Sequence, residues 1–125
     1  SLHDALPILL RFHKFLIGRY WVSEYGSSDN EEQFKYIFKY SPYHNIKKEG
    51  KFPAALITAG EHDSRVHPMH AKKMVAALQF ENRSDNPIFL WVDTKAGHGQ
   101  GKSTQARIKE SAMELGFFLK MLGVN

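Results

Sequence analysis

Cysteine is absent from this sequence, which excludes disulfide bonds and thiolate metal sites. Also absent is any apolar run near the ~20 residues of a membrane-spanning helix, so we expect no membrane partner. Basic residues give a net charge of +4 at pH 7, but they are scattered, and adjacent pairs occur only at Lys47-Lys48 and Lys72-Lys73. Without a basic stripe, a nucleic-acid partner is not expected either. The lack of cysteine fits a reducing compartment and favours a cytoplasmic location.

The rest of the composition is that of an ordinary globular protein. The chain has 125 residues, of which 42% are hydrophobic and 24% are charged. This length is enough for one small domain with a hydrophobic core, and the composition is not that of a disordered chain. No internal repeat or linker divides the sequence. We therefore expect a single folded unit.

The first eight residues, Ser1 to Ile8, are a separate case. They lack the basic start of a signal peptide, and the sequence has no initiator methionine. The octapeptide also resembles a translated sequencing adapter. We therefore expect residues 1–8 to be a non-native head and residues 9–125 to be an internal piece of a longer chain. A signal peptide further upstream would make the periplasm the alternative location.

Hydrophobic patterns predict alternating strands and helices. Short apolar runs indicate two buried strands, over residues 52–58 and 88–92. Capping residues and helical periodicity predict helices over residues 31–39, 67–82 and 104–122. This order is the pattern of a parallel sheet with covering helices, an α/β fold. The last helix has a row of apolar side chains that we expect to enter the core: Ile108, Met113, Leu115, Phe118, Leu119 and Leu122.

Each predicted strand leads into a polar loop, and these two loops carry Asp63 and His98. The two residues are 98 − 63 = 35 positions apart, which leaves room for one crossover helix. Functional groups gather at the carboxyl ends of parallel strands, so we predict that the loops are neighbours. A carboxylate that fixes the tautomer of a histidine makes that histidine a proton acceptor, as in a Ser-His-Asp triad. The alternative interpretation is two ordinary polar loop residues.

Three further residues each have two interpretations. Arg65 has the donors to bind a substrate carbonyl, or it forms a surface ion pair. Trp21 and Tyr25, four positions apart, form either a flat wall for a ring-shaped substrate or part of the core. The residues alone do not choose between these interpretations.

Metal binding and an internal nucleophile are both weakly supported. The histidines at positions 62, 67 and 70 are close in sequence, but the usual carboxylate partner is not evident, so we expect no metal. Ser64 is not in the G-x-S-x-G turn of a nucleophilic serine, and Ser103 has the position of a helix cap. We therefore expect the nucleophile to lie upstream of this chain.

Five blocks of the sequence are specific enough to compare with a family. They are Leu10-Arg11-Phe12-His13-Lys14-Phe15 with Ile17-Gly18, Trp21 to Gly26, Tyr40-Ser41-Pro42 with His44-Asn45, His62-Asp63-Ser64-Arg65-Val66, and Val92-Asp93-Thr94-Lys95-Ala96-Gly97-His98-Gly99. Together, and in this order, they closely resemble the C-terminal end of the prolyl oligopeptidase (prolyl endopeptidase) family. The resemblance covers the chain from about Leu9 to its end.

The resemblance implies the C-terminal part of an α/β-hydrolase fold and a serine peptidase that cleaves short peptides on the carboxyl side of proline. By matching position, Asp63 resembles the triad acid and His98 the triad base. The family's serine turn, Gly-Gly-Ser-Asn-Gly-Gly in form, and its β-propeller would lie upstream, in a missing N-terminal part that is the expected partner. The chain alone is therefore expected to be inactive and to expose strand edges.

The resemblance also implies how a substrate is held. Arg65 resembles the arginine that binds a substrate carbonyl, and Trp21 the indole that stacks on the proline ring. Tyr25 and Val66 would complete the wall of that pocket. No cofactor is implied. Two alternatives stay open: a related oligopeptidase with basic or acylated-residue specificity, against which Trp21 argues, and a non-catalytic binding module with the same fold.

Overall fold

The computed structural model describes residues 6–98 and 102–124. Short 3₁₀ helices occur at Leu9–Lys14, Leu16–Trp21 and Pro42–Asn45. The α-helices of the described residues are α1 (Val22–Tyr25), α2 (Glu31–Tyr40), α3 (Met69–Glu81) and α4 (Thr104–Met121). The three predicted helices are confirmed as α2, α3 and α4, with ends within two residues of those expected. The 3₁₀ helices near the start were not predicted.

The centre of the fold is a parallel pair of strands, β1 (Ala55–Gly60) and β2 (Ile88–Asp93). Ala55 lies opposite Ile88, and the register continues to Gly60 opposite Asp93. Helix α3 makes the crossover between the strands and packs on both. The predicted α/β arrangement with a parallel sheet is confirmed.

The first strand begins later than predicted, at residue 55 instead of 52. Pro53 has no N–H to donate to a neighbouring strand, so it cannot take part in regular pairing. The first hydrogen bond at this edge runs from the Ala55 N–H to the carbonyl of Pro87, at 2.9 Å. The strand therefore starts at Ala55, after the proline, where the backbone first bonds to the segment that leads into β2, and it continues to Gly60.

Side-chain caps start two of the helices where the sequence predicts them. The Asn30 side chain accepts a hydrogen bond from the backbone N–H of Gln33, at 3.0 Å, and so caps α2. Ser103 accepts from the N–H of Ala106, at 3.2 Å, and so caps α4. Ser103 thus has the structural role predicted for it.

A small core holds the N-terminal part together. Leu9, Phe12 and Ile37 are buried against one another, joining the first 3₁₀ helix to α2. Trp21 and Tyr25 pack on the outside of this cluster. The core therefore fixes the position of the segment that carries both aromatic residues.

A fully buried serine connects the pieces of this core. The hydroxyl of Ser41 accepts a hydrogen bond from the Leu9 N–H at 3.1 Å and bonds to Nδ1 of His44 at 2.7 Å. The neighbouring backbone is also paired, since the N–H of Tyr43 donates to the carbonyl of Pro7 at 2.9 Å. Ser41 thus satisfies polar groups that would otherwise be buried without partners.

The prediction that the apolar row of α4 enters the core is wrong for this chain. None of the described residues of α4 is buried, and its large apolar side chains are mostly exposed: Ile108 64%, Leu115 61%, Phe118 58%, Leu119 48% and Leu122 75%. The strands are also not covered on both faces, because Phe89 is 51% exposed. The physical reason is size: a two-stranded sheet offers too little surface for a helix of 18 residues to cover.

Two further features bear on the sequence predictions. No helix in the described ranges is long and apolar enough to cross a membrane. Of the predicted non-native head, residues 1–5 lie outside the described residues, and Ile8 is 4% exposed. The assignment of residues 1–8 as a non-native head stays a prediction.

Candidate active site

The loops that follow β1 and β2 lie against each other at the carboxyl end of the sheet. The N–H of Glu61 donates to the carbonyl of Asp93 at 2.9 Å, and the N–H of His62 donates to the carbonyl of Ala96 at 3.1 Å. Because the strands are parallel and adjacent, both loops leave the sheet at the same edge. The backbone therefore brings the residues that follow each strand into one place.

Asp63 and His98 meet at this edge. Nδ1 of His98 lies 2.6 Å from Oδ2 of Asp63. The side chain of His98 is 19% exposed and that of Asp63 is 12% exposed. The pair is therefore largely shielded from water, although both residues line a cavity. A short hydrogen bond to a carboxylate in such a place is stronger than the same bond in water.

The other oxygen of the Asp63 carboxylate is held by the backbone. Oδ1 accepts hydrogen bonds from the N–H groups of Arg65, at 2.8 Å, and of Val66, at 2.9 Å. Aspartate often closes a turn in this way, and the turn fixes the side-chain rotamer. The carboxylate is therefore oriented by its own loop before it contacts the histidine.

This orientation sets the chemistry that His98 can perform. A carboxylate only accepts hydrogen bonds, so Nδ1 of His98 is assigned as the donor. In the neutral ring the proton then sits on Nδ1, and Nε2 keeps a lone pair that can accept a proton. If Nε2 takes a proton, the charge on Asp63 stabilises the imidazolium. The arrangement would therefore allow His98 to act as a general base that Asp63 orients.

Arg65 and Trp21 contact each other, but neither side chain lines the cavity that Asp63 and His98 line. The guanidinium carbon of Arg65 lies 5.7 Å from the centre of the Trp21 ring system, within the range of a cation–π contact. Trp21 is half-buried and packs on the N-terminal core. The contact joins the loop after β1 to the aromatic segment, although the two are more than 40 positions apart in the sequence.

Tyr25 and Val66 line one cavity together with Asp63 and His98. This cavity has a volume of about 880 Å³ and lies between the N-terminal segment, the ends of the strands and α4. Tyr25 has an edge-to-face contact with Phe12, at 5.7 Å between ring centres, so the same residue serves both the core and the cavity wall. The two interpretations offered for Tyr25 are therefore compatible.

The charged face of α4 is part of the cavity that sequence reasoning missed. Arg107, Glu110 and Glu114 of this helix, together with Lys102 just before it, line the same cavity as His98. Nothing in the local sequence singles out these residues, because charged side chains on an amphipathic helix usually face solvent. Periodicity predicts the apolar row of this helix, but it does not indicate that the charged face lines a cavity.

His70 is a second feature that the sequence did not reveal. Its side chain is 2% exposed, and its ring contacts that of Phe15 at 6.4 Å. Burial lowers the pKa of His70 to about 4, with a smaller contribution from nearby His67. A histidine in this state stays neutral at physiological pH, so it belongs to the packing of the start of α3.

The other histidines and serines do not form a metal site or a nucleophile within the described residues. Nδ1 of His67 accepts from the N–H of Met69 at 3.1 Å, and His62 is exposed. Across residues 6–98 and 102–124, no three histidine, aspartate or glutamate side chains are grouped to hold a metal ion. Ser64 is exposed, next to Asp63. Ser41 does bond to a histidine, but it is 0% exposed and cannot reach a substrate.

Comparison with known proteins finds one family. The pattern described as the prolyl oligopeptidase family matches residues 5–125. "Prolyl oligopeptidase A" of Galerina marginata is 49% identical over 125 residues, which is 99% of this chain and 16% of the relative. "Prolyl endopeptidase" of Dictyostelium discoideum is 40% identical over 119 residues, 93% of this chain and 16% of the relative. The chain thus spans about one sixth of the length of these curated relatives.

Solved structures agree with the sequence comparison. A structure from a study of two prolyl endopeptidases superposes with a TM-score of 0.91 at 38% identity, covering 96% of this chain and 18% of that protein. Prolyl oligopeptidase B of Galerina marginata, an aspartate-to-alanine mutant bound to a 25mer macrocyclization substrate, gives 0.89 at 39% identity, with coverage of 98% and 17%. These similarities agree with the α/β-hydrolase fold predicted from the sequence.

Proposed function

Because the chain belongs to the prolyl oligopeptidase family, we propose that it supplies the acid and the base of a serine peptidase that cleaves short peptides after proline. The observation that carries this proposal is the 2.6 Å hydrogen bond between Nδ1 of His98 and Oδ2 of Asp63 at the carboxyl ends of adjacent parallel strands. In this proposal Asp63 and His98 are the acid and the base, and a serine nucleophile would complete the triad.

The proposed reaction follows from that geometry. A serine hydroxyl from the rest of the protein attacks the carbonyl carbon of the proline residue, and Nε2 of His98 takes the hydroxyl proton. The C–N bond then breaks, and His98 returns the proton to the leaving amine. Water repeats the sequence on the acyl-enzyme, with His98 again as base. Asp63 stays ionised throughout and stabilises the imidazolium of each step.

The proposed proline pocket is formed by Trp21, Tyr25 and Val66. An apolar, rigid ring such as that of proline loses little conformational freedom when it docks on a flat aromatic surface. Arg65 lies beside the same indole, so it is placed to donate hydrogen bonds to a peptide carbonyl next to the proline. In this proposal the pocket accounts for the preference for proline, and the Asp63–His98 pair accounts for the proton transfers.

The proposal includes a partner, the N-terminal part of the same protein. That part would carry the serine in its strand-to-helix turn and a β-propeller. Two observations support it: the chain spans 16% of its relative, and the apolar row of α4 is exposed beside a sheet of only two described strands. Further strands and helices would cover these surfaces, as an edge strand and an apolar face both require. A cytoplasmic location belongs to the same proposal and rests on the absence of cysteine.

A chimera tests the proposed function. The present chain would replace the matching segment of the Galerina marginata relative, which supplies the serine and the remaining domains. We expect this chimera to cleave a fluorogenic peptide after proline, and we expect His98→Ala to lower kcat by about 10³-fold or more. The unmodified relative is the positive control.

Two outcomes would contradict the proposal. Cleavage that prefers a basic residue over proline would favour a related oligopeptidase of different specificity. A folded chimera that binds a proline peptide without cleaving it would favour a non-catalytic binding module. Circular dichroism and size-exclusion chromatography would show whether an inactive chimera is folded, so the two cases are separable from misfolding.

A further inference from the structure

Lys102 and Glu110 form an enclosed ion pair at the start of α4. Nζ of Lys102 lies 2.6 and 2.7 Å from the two carboxylate oxygens of Glu110. The side chains are only 11% and 21% exposed, whereas those of the surface pair Lys35 and Glu31 are 54% and 85% exposed. Exposed pairs contribute little because water and salt screen them, but an enclosed pair holds a defined geometry.

This pair connects the strand that precedes His98 in the chain with the helix that follows it. Lys102 follows His98 by four positions and directly precedes the cap of α4, while Glu110 lies within that helix. Nζ of Lys102 is also 5.9 Å from the ring of Trp91, which belongs to β2. One ammonium group therefore touches the strand that leads to His98 and the helix that follows it.

The same ion pair lines the cavity with the acid and the base. Lys102, Glu110, Asp63 and His98 all contribute to its wall. His98 is fixed on one side by its hydrogen bond to Asp63. Four positions later, Lys102 is fixed to α4 by its ion pair with Glu110. The chain is thus held at His98 itself, through Asp63, and again at Lys102.

We propose that Lys102 and Glu110 are a positioning pair that holds the His98 segment so that Nδ1 faces Asp63. This inference rests on the proposed function, since it assigns the pair a task in the acid–base chemistry. Neither side chain needs to touch a substrate. The pair acts through the placement of His98, and a displacement of about 1 Å at such a group costs on the order of 10²-fold in rate.

The kinetic test uses the chimera described above with Lys102→Met and Glu110→Gln, singly and together, and with the exchanged pair Lys102→Glu/Glu110→Lys. We expect each single variant to lower kcat by about 10- to 100-fold with KM changed less than about 3-fold. The exchanged pair should recover part of the loss, because it restores an ion pair in the same place. Lys35→Met, which breaks an exposed pair, is the matched control and should leave kcat unchanged.

A spectroscopic test is independent of activity. In the 125-residue chain itself, the Nδ1 proton of His98 should give a far-downfield NMR signal, as expected for a short bond to a carboxylate. Lys102→Met should shift this signal upfield or broaden it, while Lys35→Met should not. If a folded chimera is inactive, the proposed function fails, and this signal still decides the role of the pair. The inference is overturned if Lys102→Met lowers only the unfolding midpoint and leaves both kcat and the His98 signal as they were.

Discussion

Gly60 and Gly97 meet where the loops after β1 and β2 touch, and no side chain fits between them. A β-carbon added to Gly60 would press against the carbonyl oxygens of Gly97 and Ala96, the latter at 2.7 Å. The hydrogen bond from the His62 N–H to the Ala96 carbonyl lies in the same contact. This close approach lets the loop of Asp63 reach the loop of His98, and glycine permits it because it has no β-carbon.

Gly60→Ala should therefore separate Asp63 from His98. We expect kcat of the chimera to fall by about 10- to 100-fold, because both loops must shift to admit the methyl group. The control is Gly116→Ala, where an added β-carbon meets nothing within 4 Å. That change lies inside α4 and should stabilise the chain by about 0.5–1 kcal/mol without affecting kcat. Unchanged kinetics in Gly60→Ala would show that the loops do not need this contact.

Asp63→Asn tests the orienting acid. The amide keeps the shape of the carboxylate but cannot stabilise an imidazolium, and it allows the wrong tautomer of His98, so we expect kcat to fall on the order of 10⁴-fold. The chain provides its own control. Asp29 also bonds to a histidine, with Oδ2 2.9 Å from Nε2 of His13, but this pair does not line the cavity. Asp29→Asn should leave kcat unchanged, and equal losses in both variants would count against the assignment.

Trp21→Ala tests the proposed proline pocket. Removal of the indole should lower kcat/KM for a proline peptide relative to an alanine peptide by about 10- to 100-fold, since the proline ring of the substrate loses the apolar surface on which it docks. Tyr20→Ala is the neighbouring control, because Tyr20 is 65% exposed. The measurement is the ratio of the two specificity constants in the chimera. A ratio that stays the same in Trp21→Ala would favour an oligopeptidase of different specificity.

Ser41→Ala tests the buried serine that joins the N-terminal core. Its hydroxyl is the partner of the Leu9 N–H and of His44, and the loss would leave buried polar groups unsatisfied. We expect the free energy of unfolding to fall by about 1–3 kcal/mol. Urea unfolding of the chain, followed by circular dichroism, measures this. Ser23→Ala changes an exposed serine and should stay within about 0.5 kcal/mol of the unsubstituted chain.

His70 should make the stability of the chain depend on pH. Its pKa is lowered from 6.5 to about 4 in the folded state. The unfolded chain therefore binds more protons between these values, and the free energy of unfolding falls as the pH decreases from 6.5 towards 4. The expected loss of unfolding free energy is on the order of 3 kcal/mol. This contribution to stability is fully present only above the pKa that His70 has in the unfolded chain.

His70→Gln removes this titration and tests the prediction. The variant should be less stable at neutral pH, because a packed ring is lost, but its unfolding midpoint in urea should depend less on pH than that of the unsubstituted chain. His62→Gln, at an exposed position, should keep the original pH dependence. If both variants retain the same slope, another group causes the acid sensitivity.

The sequence by itself determined the order of the two strands and the three longer α-helices, and much of the family-specific pattern. Apolar runs and capping residues such as Asn30 and Ser103 are local signals, so the helices and the parallel βαβ unit followed from them. Asp63 and His98 could be selected because each follows a predicted strand and because parallel strands end at the same edge. These inferences need only neighbours along the chain and one rule of sheet geometry.

Only the tertiary structure decided which distant side chains touch. The contact of Arg65 with Trp21 and the enclosure of Lys102 with Glu110 depend on how separate segments pack, and no local pattern encodes that. The same is true of the apolar row of α4. Its periodicity is typical of a helix that packs on a core, but the row is exposed because the two described strands offer too little surface to cover it. Burial is a property of the surrounding surfaces, so periodicity shows which face of a helix is apolar but not what covers it.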